Sequence, residues 1–143
     1  MEPEILIRYH ANIPRIEKRE NGDWIDLYAA EDVSLKAGEY RLISLGVSMV
    51  LPKGYEAHVA PRSSTFKRWG ILQVNSVGII DESYRGDDDV WRYPVLAMRD
   101  TKIEKGDRIC QFRIVEKMPS IRFTQVEKLD GDNRGGFGST GDR

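Results

Sequence analysis

Short apolar runs punctuated by turn residues make up most of this chain. Ile5 to Tyr9 opens as a predicted strand, and Tyr40 to Leu51 forms a long run rich in β formers that Pro52-Lys53-Gly54 closes with a turn signal. Tyr55, Ala57 and Val59 alternate with polar neighbours, the pattern of a half-buried strand. Ile71 to Val74, Val95 to Met98, Ile109 to Val115 and Ile121 to Val126 supply further strand candidates. Only Ser64 to Arg68 has a helical look, and it is one or two turns at most. Many short strands with turns between them predict an all-β sandwich or barrel. From Asp130 onward the pattern changes: Gly131, Gly135, Gly136, Gly138 and Gly141 crowd a segment too poor in apolar groups to hold a core position. The expected organisation is a β-domain over 1–129 followed by a flexible arm over 130–143.

Composition narrows the chemistry. The 143 residues suit one compact domain, able to bury a core without disulfides or structural metal. Lys and Arg total 22 against 23 Asp and Glu, so non-specific nucleic-acid binding, which needs surplus cations, is not expected. A few local arginines would still suffice for an anionic small molecule. Cys110 is the single cysteine, which excludes an intrachain disulfide and a Cys-based zinc site; two histidines, His10 and His58, lie too far apart for a metal-binding helix. No apolar run approaches a membrane span, and no signal-peptide core stands at the start, so a cytoplasmic location is expected.

Four segments carry candidate chemistry. Ala60-Pro61-Arg62-Ser63-Ser64-Thr65 lies where a strand runs into the short helix; amides, hydroxyls and Arg62 there would suit an anion, although an ordinary N-cap at Ser63 or Ser64 explains the same residues. In Asn75 to Asp87, the apolar pair Ile79-Ile80 runs into Asp81. A partly desolvated carboxylate favours service as a base, whereas a plain turn residue would make an Asx bond. Tyr84 is read either as a site residue or as a core tyrosine with its hydroxyl at the surface. After the Gly106-Asp107 turn, Ile109 and Gln111 are expected on one strand face, with Gln111 offering an amide to an anion. The tail, Arg134 to Gly141, combines charge, hydroxyls, Phe137 and glycines able to close around phosphates; without a following Lys it is not a Walker A loop, and a Gly/Ser linker is the bland alternative.

Taken in order, these segments resemble the five motifs of the trimeric dUTPase family. Asp23-Trp24-Ile25-Asp26-Leu27-Tyr28-Ala29-Ala30 resembles AGxDLxAA, and Pro61-Arg62-Ser63-Ser64 resembles PRSG. Asn75 to Gly86 matches NxxGxIDxxYRG at every fixed position. Gly106 to Gln111 matches GDRIAQ with Cys for Ala, and the tail resembles RGxGGFGSTG. The resemblance implies a jelly-roll-like β-barrel or sandwich assembled as a homotrimer, its active sites built from three subunits, that hydrolyses dUTP to dUMP and pyrophosphate with Mg²⁺. On that footing Asp81 would be the general base for water attack on the α-phosphorus. Tyr84 would pack on the deoxyribose, and Asn75 with the backbone at Ile80 would read uracil. Ser63, Ser64 and Gln111 would bind phosphates. Arg134, Gly135, Gly138 and Ser139 would close over the β- and γ-phosphates, with Phe137 stacked on the base. Arg62 would organise the site across a subunit contact, and Asp26 would hold waters of the Mg²⁺ shell, no side chain ligating the metal directly.

Two features depart from the family pattern. Arg134 stands only three positions before Phe137, and Asp87 to Pro94 replaces the usual apolar strand after Gly86. The second departure suggests that Trp91 or Tyr93 shares the base-covering role of Phe137, and that the Trp91 loop is where a regulatory protein partner would dock; it also resembles a subgroup of Gram-positive bacteria and their phages. The rival readings are a dCTP deaminase of the same fold, a nucleotide-sensing regulatory protein, and a structural β-domain with a disordered tail. The deaminase reading lacks its catalytic Glu on the strand from Tyr93 to Met98.

Overall fold

The computed structural model describes residues 2–136. They form eleven strands and one short helix: β1 Leu6–Tyr9, β2 Ile25–Tyr28, β3 Val33–Leu35, β4 Tyr40–Ser44, β5 Val47–Val50, β6 Tyr55–Pro61, α1 Thr65–Trp69, β7 Ile71–Gln73, β8 Gly78–Ile80, β9 Arg92–Ala97, β10 Thr101–Ile103 and β11 Arg108–Glu116. Two larger sheets, β2-β11-β6-β8 and β4-β9-β7, are joined by the pairs β1-β5 and β3-β10. The fold is a jelly-roll-like sandwich rather than a closed barrel, because both larger sheets keep free edges.

Alternation builds the core. In β9 the side chains of Tyr93, Val95 and Ala97 turn inward, and in β6 Ala57 and Val59 do the same. Trp91, just before β9, stands edge-on to Phe112 of β11 at 5.2 Å between ring centres and 83° between planes. That contact locks the two sheets together, and such a pair contributes about 0.5–1.5 kcal/mol beyond its area.

The long run from Tyr40 to Leu51 does not form one strand. It breaks at Leu45-Gly46, and the chain crosses from the β4-β9-β7 sheet to pair with β1. Gly46 has φ 69°, and a Cβ there would lie 2.7 Å from the Cβ of Ala30, so a strand former could not occupy the crossing. The segment Ile121 to Val126 is not a strand either; it lies, exposed, in an irregular stretch from 117 to 136. Trp91 and Tyr93 are both fully buried, which removes them as candidates to cover a bound base. Among the described residues no helix is long and apolar enough to cross a membrane.

Candidate functional site

β8 aims the first cluster. It pairs with the edge of β6, setting Ile80 opposite Ala57 and Gly78 opposite Val59. A side chain at Gly78 would crowd Val59 at 3.3 Å and the Asn75 amide at 3.6 Å, so glycine lets the Asn75 turn fold onto β6. Asp81 follows at once. Its Oδ2 accepts the Ser83 N–H at 2.9 Å, and its main-chain oxygen accepts the Tyr84 N–H at 3.0 Å. Oδ1 lies 3.4 Å from Lys117 Nζ, which also donates to Glu82 Oε1 at 3.1 Å.

The Asp81 carboxyl titrates at about 2, below its ordinary 3.8. Hydrogen bonds from Ser83 do most of this, and the charge of Lys117 adds to them against an opposing desolvation. Within one chain, then, Asp81 is a charge-stabilised surface carboxylate, with 53% of its side chain exposed, rather than the desolvated base that its apolar neighbours suggest.

Beside it opens a hollow of about 420 Å³, lined by Ile80, Asp81, Ser83, Tyr84, Trp91 and Arg92 among others. Tyr84 is not a core residue: it is 39% exposed, and its hydroxyl donates to the Val90 carbonyl at 3.0 Å, which fixes the ring against the hollow. The acidic run after Gly86 is tied down by hydrogen bonds of its own. Asp89 accepts the Gly86 N–H at 2.8 Å, and the Asp87 carbonyl accepts the Ser48 hydroxyl at 2.9 Å.

A second cluster forms where β2, β11 and the end of β6 meet. Asp26 lies 3.5 Å from Arg62 Nε and 3.3 Å from Arg108, while Arg62 also donates to the Arg108 carbonyl at 2.9 Å. Gln111 donates from Nε2 to the Pro61 carbonyl at 3.1 Å. A bulge between Arg108 and Cys110 breaks the expected alternation; Ile109 and Cys110 are both buried, and Gln111 is left partly exposed on the face opposite Cys110 and Phe112. Burial pushes the Cys110 thiol well above its usual range.

Ser64 stands at the N-cap of α1, yet its side chain makes no capping bond. The loop is pinned by Thr65 instead, fully buried, whose hydroxyl accepts the Arg62 N–H at 2.8 Å and donates to the Ile109 carbonyl at 3.0 Å. Ser63 and Ser64 are therefore not consumed by the helix. Among the described residues no group of three or more His, Cys, Asp or Glu could hold a metal ion, and Asp26 is already flanked by two guanidinium groups.

One chain keeps the two clusters apart. Ile80 pairs with Ala57, so Asp81 leaves β8 toward the Glu56 end of β6, whereas Arg62 to Ser64 lie past the other end of that strand. Six residues of extended chain separate the levels, about 20 Å at the usual rise. Arg134 and Gly135 lie exposed in the irregular stretch after β11. Phe137, Gly138 and Ser139 fall outside the described residues.

Known proteins resemble this chain along most of its length. The family model described as dUTPase matches residues 11–141. The SPbeta prophage-derived deoxyuridine 5'-triphosphate nucleotidohydrolase of Bacillus subtilis is 62% identical over 127 residues, 89% of each chain. The deoxyuridine 5'-triphosphate nucleotidohydrolase of Finegoldia magna is 42% identical over 118 residues, 80% of each. Among solved structures, the dUTPase from phage phi11 of Staphylococcus aureus superposes with a TM-score of 0.73 at 19% identity, covering 90% of this chain and 99% of that one, a likeness of fold. A variant of that phage enzyme is described as coordinating a structural Mg(II) ion.

Proposed function

The chain belongs to the dUTPase family, and from that membership we infer that it hydrolyses dUTP to dUMP and pyrophosphate. The observation that carries the chemistry is the Asp81 carboxylate, ionised, held by the Ser83 N–H and set at the mouth of the hollow that Tyr84 walls. Its position suits a general base that orients a water and takes its proton as the water attacks the α-phosphorus. Such help is worth about 10²–10⁴-fold, so positioning and charge stabilisation must supply the rest.

The remaining residues divide the substrate. Asn75 and the backbone at Ile80 read uracil from the tight turn that Gly78 permits. Tyr84 presents its ring to the deoxyribose, leaving no room for a 2′-hydroxyl. Ser63, Ser64 and Gln111 bind phosphate oxygens, and Arg62 orders the loop through its bonds to Asp26 and the Arg108 carbonyl. Arg134, Gly135, Phe137, Gly138 and Ser139 close over phosphates and base as the arm from 130 onward folds down.

A triphosphate carries roughly four negative charges, and Mg²⁺ bound to it supplies charge neutralisation. The donor set here suits a metal that keeps its waters and rides on the phosphates. Asp26 would hold waters of that ion's shell rather than ligate it directly.

Phosphate-binding and base-bearing clusters about 20 Å apart cannot serve one triphosphate within a chain. A homotrimer resolves this by bringing Asp81 of one subunit beside Ser64 and Gln111 of another. The exposed apolar side chains of Met118, Phe123 and Leu129, at 72%, 91% and 82% exposure, support cover by a neighbouring copy. Pyrophosphate release measured with dUTP, dTTP, dCTP and UTP, for the wild type and Asp81→Asn, tests the reading. Turnover of dUTP alone, lost in the variant, is expected. Comparable turnover of UTP would remove Tyr84 from the sugar site, and ammonia release from dCTP would point to a deaminase.

A further inference from the structure

Lys117 belongs to none of the segments that carry the family resemblance, yet it makes the nearest charged contact to the base. It is the first residue beyond β11, and its N–H donates to the Gly54 carbonyl at 2.9 Å, extending the β11–β6 ladder by one bond. From that anchored position Nζ reaches Asp81 Oδ1 at 3.4 Å and Glu82 Oε1 at 3.1 Å. Glu82 Oε2 in turn accepts the Gly54 N–H at 3.2 Å. The loop is closed: each carboxylate has one oxygen on a backbone N–H and the other on the same ammonium.

We propose that Lys117 is a positioning residue for the Asp81 carboxylate, coupling the aim of the base to the point where the C-terminal segment leaves the sandwich. Ser83 fixes only Oδ2, and an Asp side chain half exposed to water would otherwise swing Oδ1 freely. Lys117 supplies the second point that defines the carboxylate plane. Because its backbone is the last rung before Met118, a change in how the outgoing chain lies is felt at Nζ, and through it at Asp81. An exposed ion pair of this kind adds little to stability, so the contact is better explained by orientation than by folding.

Glu82 and Lys117 share the loop, Arg92 of β9 lines the same hollow, and Glu56 of β6 is engaged with His58 at 2.6 Å. The Asp81 titration therefore reports chiefly on Ser83 and Lys117.

This inference rests on Asp81 being the base, and the test separates the two. Carboxyl ¹³C NMR of the full chain, with the Asp81 signal assigned from Asp81→Asn, gives the midpoint without any turnover. In Lys117→Met the midpoint should rise from about 2 toward 3.8. In the same variant kcat for dUTP should fall about tenfold while KM stays within about twofold. Lys117→Arg should restore both the midpoint and kcat. An unchanged midpoint in Lys117→Met overturns the proposal, as does a shifted midpoint with unaltered kcat. Wild-type turnover by Asp81→Asn would instead sink the functional reading, leaving the NMR result to stand on its own.

Discussion

Asp81 shows how far a residue's identity falls short of its environment. The order Ile79-Ile80-Asp81 singles out this carboxylate and suggests burial, whereas the folded chain stabilises its charge through Ser83 and Lys117. The pH consequence follows from the direction of the shift. Folding lowers the pKa, so the ionised group favours the folded state above about pH 4, and that contribution is lost as pH falls toward 2. A carboxyl titration should find Asp81 still ionised at pH 3, where ordinary aspartates are mostly protonated; a midpoint near 3.8 would contradict the Ser83 contact. Thr65 offers a second test. Thr65→Val leaves the Arg62 N–H and the Ile109 carbonyl without their partner, which should cost about 1–3 kcal/mol in denaturant unfolding and loosen the Ser63-Ser64 loop. Thr65 stands in the anion-site segment read from the sequence, but its bond to Ile109, 44 positions away, and the bond from Lys117 to Glu82, 35 positions away, leave no local pattern.

Elements were legible where alternation had one face buried and one wet. β6, β7, β9 and β11 lie where apolar periodicity places them, while the short pieces β3, β8 and β10 carry too few residues to show a period. The failures have named causes. Gly46 turns one apolar run into two strands of different sheets, and a bulge at Arg108/Cys110 buries two successive side chains. Ile121 to Val126 has the composition of a strand but no partner strand among the described residues. Gly46→Val should therefore destabilise the fold by more than about 1 kcal/mol, through both its φ and the Ala30 contact; circular dichroism during denaturation would show it. Trp91→Ala should cost about 3–5 kcal/mol by opening the contact with Phe112, and dUTP affinity at a temperature where the variant stays folded should change little. A loss of affinity without a loss of stability would return Trp91 to the base-covering role.

At the scale of the molecule, the resemblance implies sites shared between subunits, and within one chain the β6 register puts the Asp81 turn and the Ser64 loop toward opposite ends of a strand. The ladders of β6 with β8 and β11 hold the two ends of that strand apart, by about 20 Å at the usual rise. In the proposed function, assembly joins them, and it would also cover the apolar side chains exposed after β11. Subunit complementation tests this directly. Asp81→Asn and the double variant Ser64→Ala/Gln111→Ala are each expected to lose dUTP hydrolysis. Unfolded together in equal amounts and refolded at random, they should regain about one active site in four over all trimers, since some junctions of the mixed trimers pair an intact Asp81 with an intact phosphate cluster. Mixed trimers, verified by mass, that remain as inactive as either parent would show that both clusters must come from one chain.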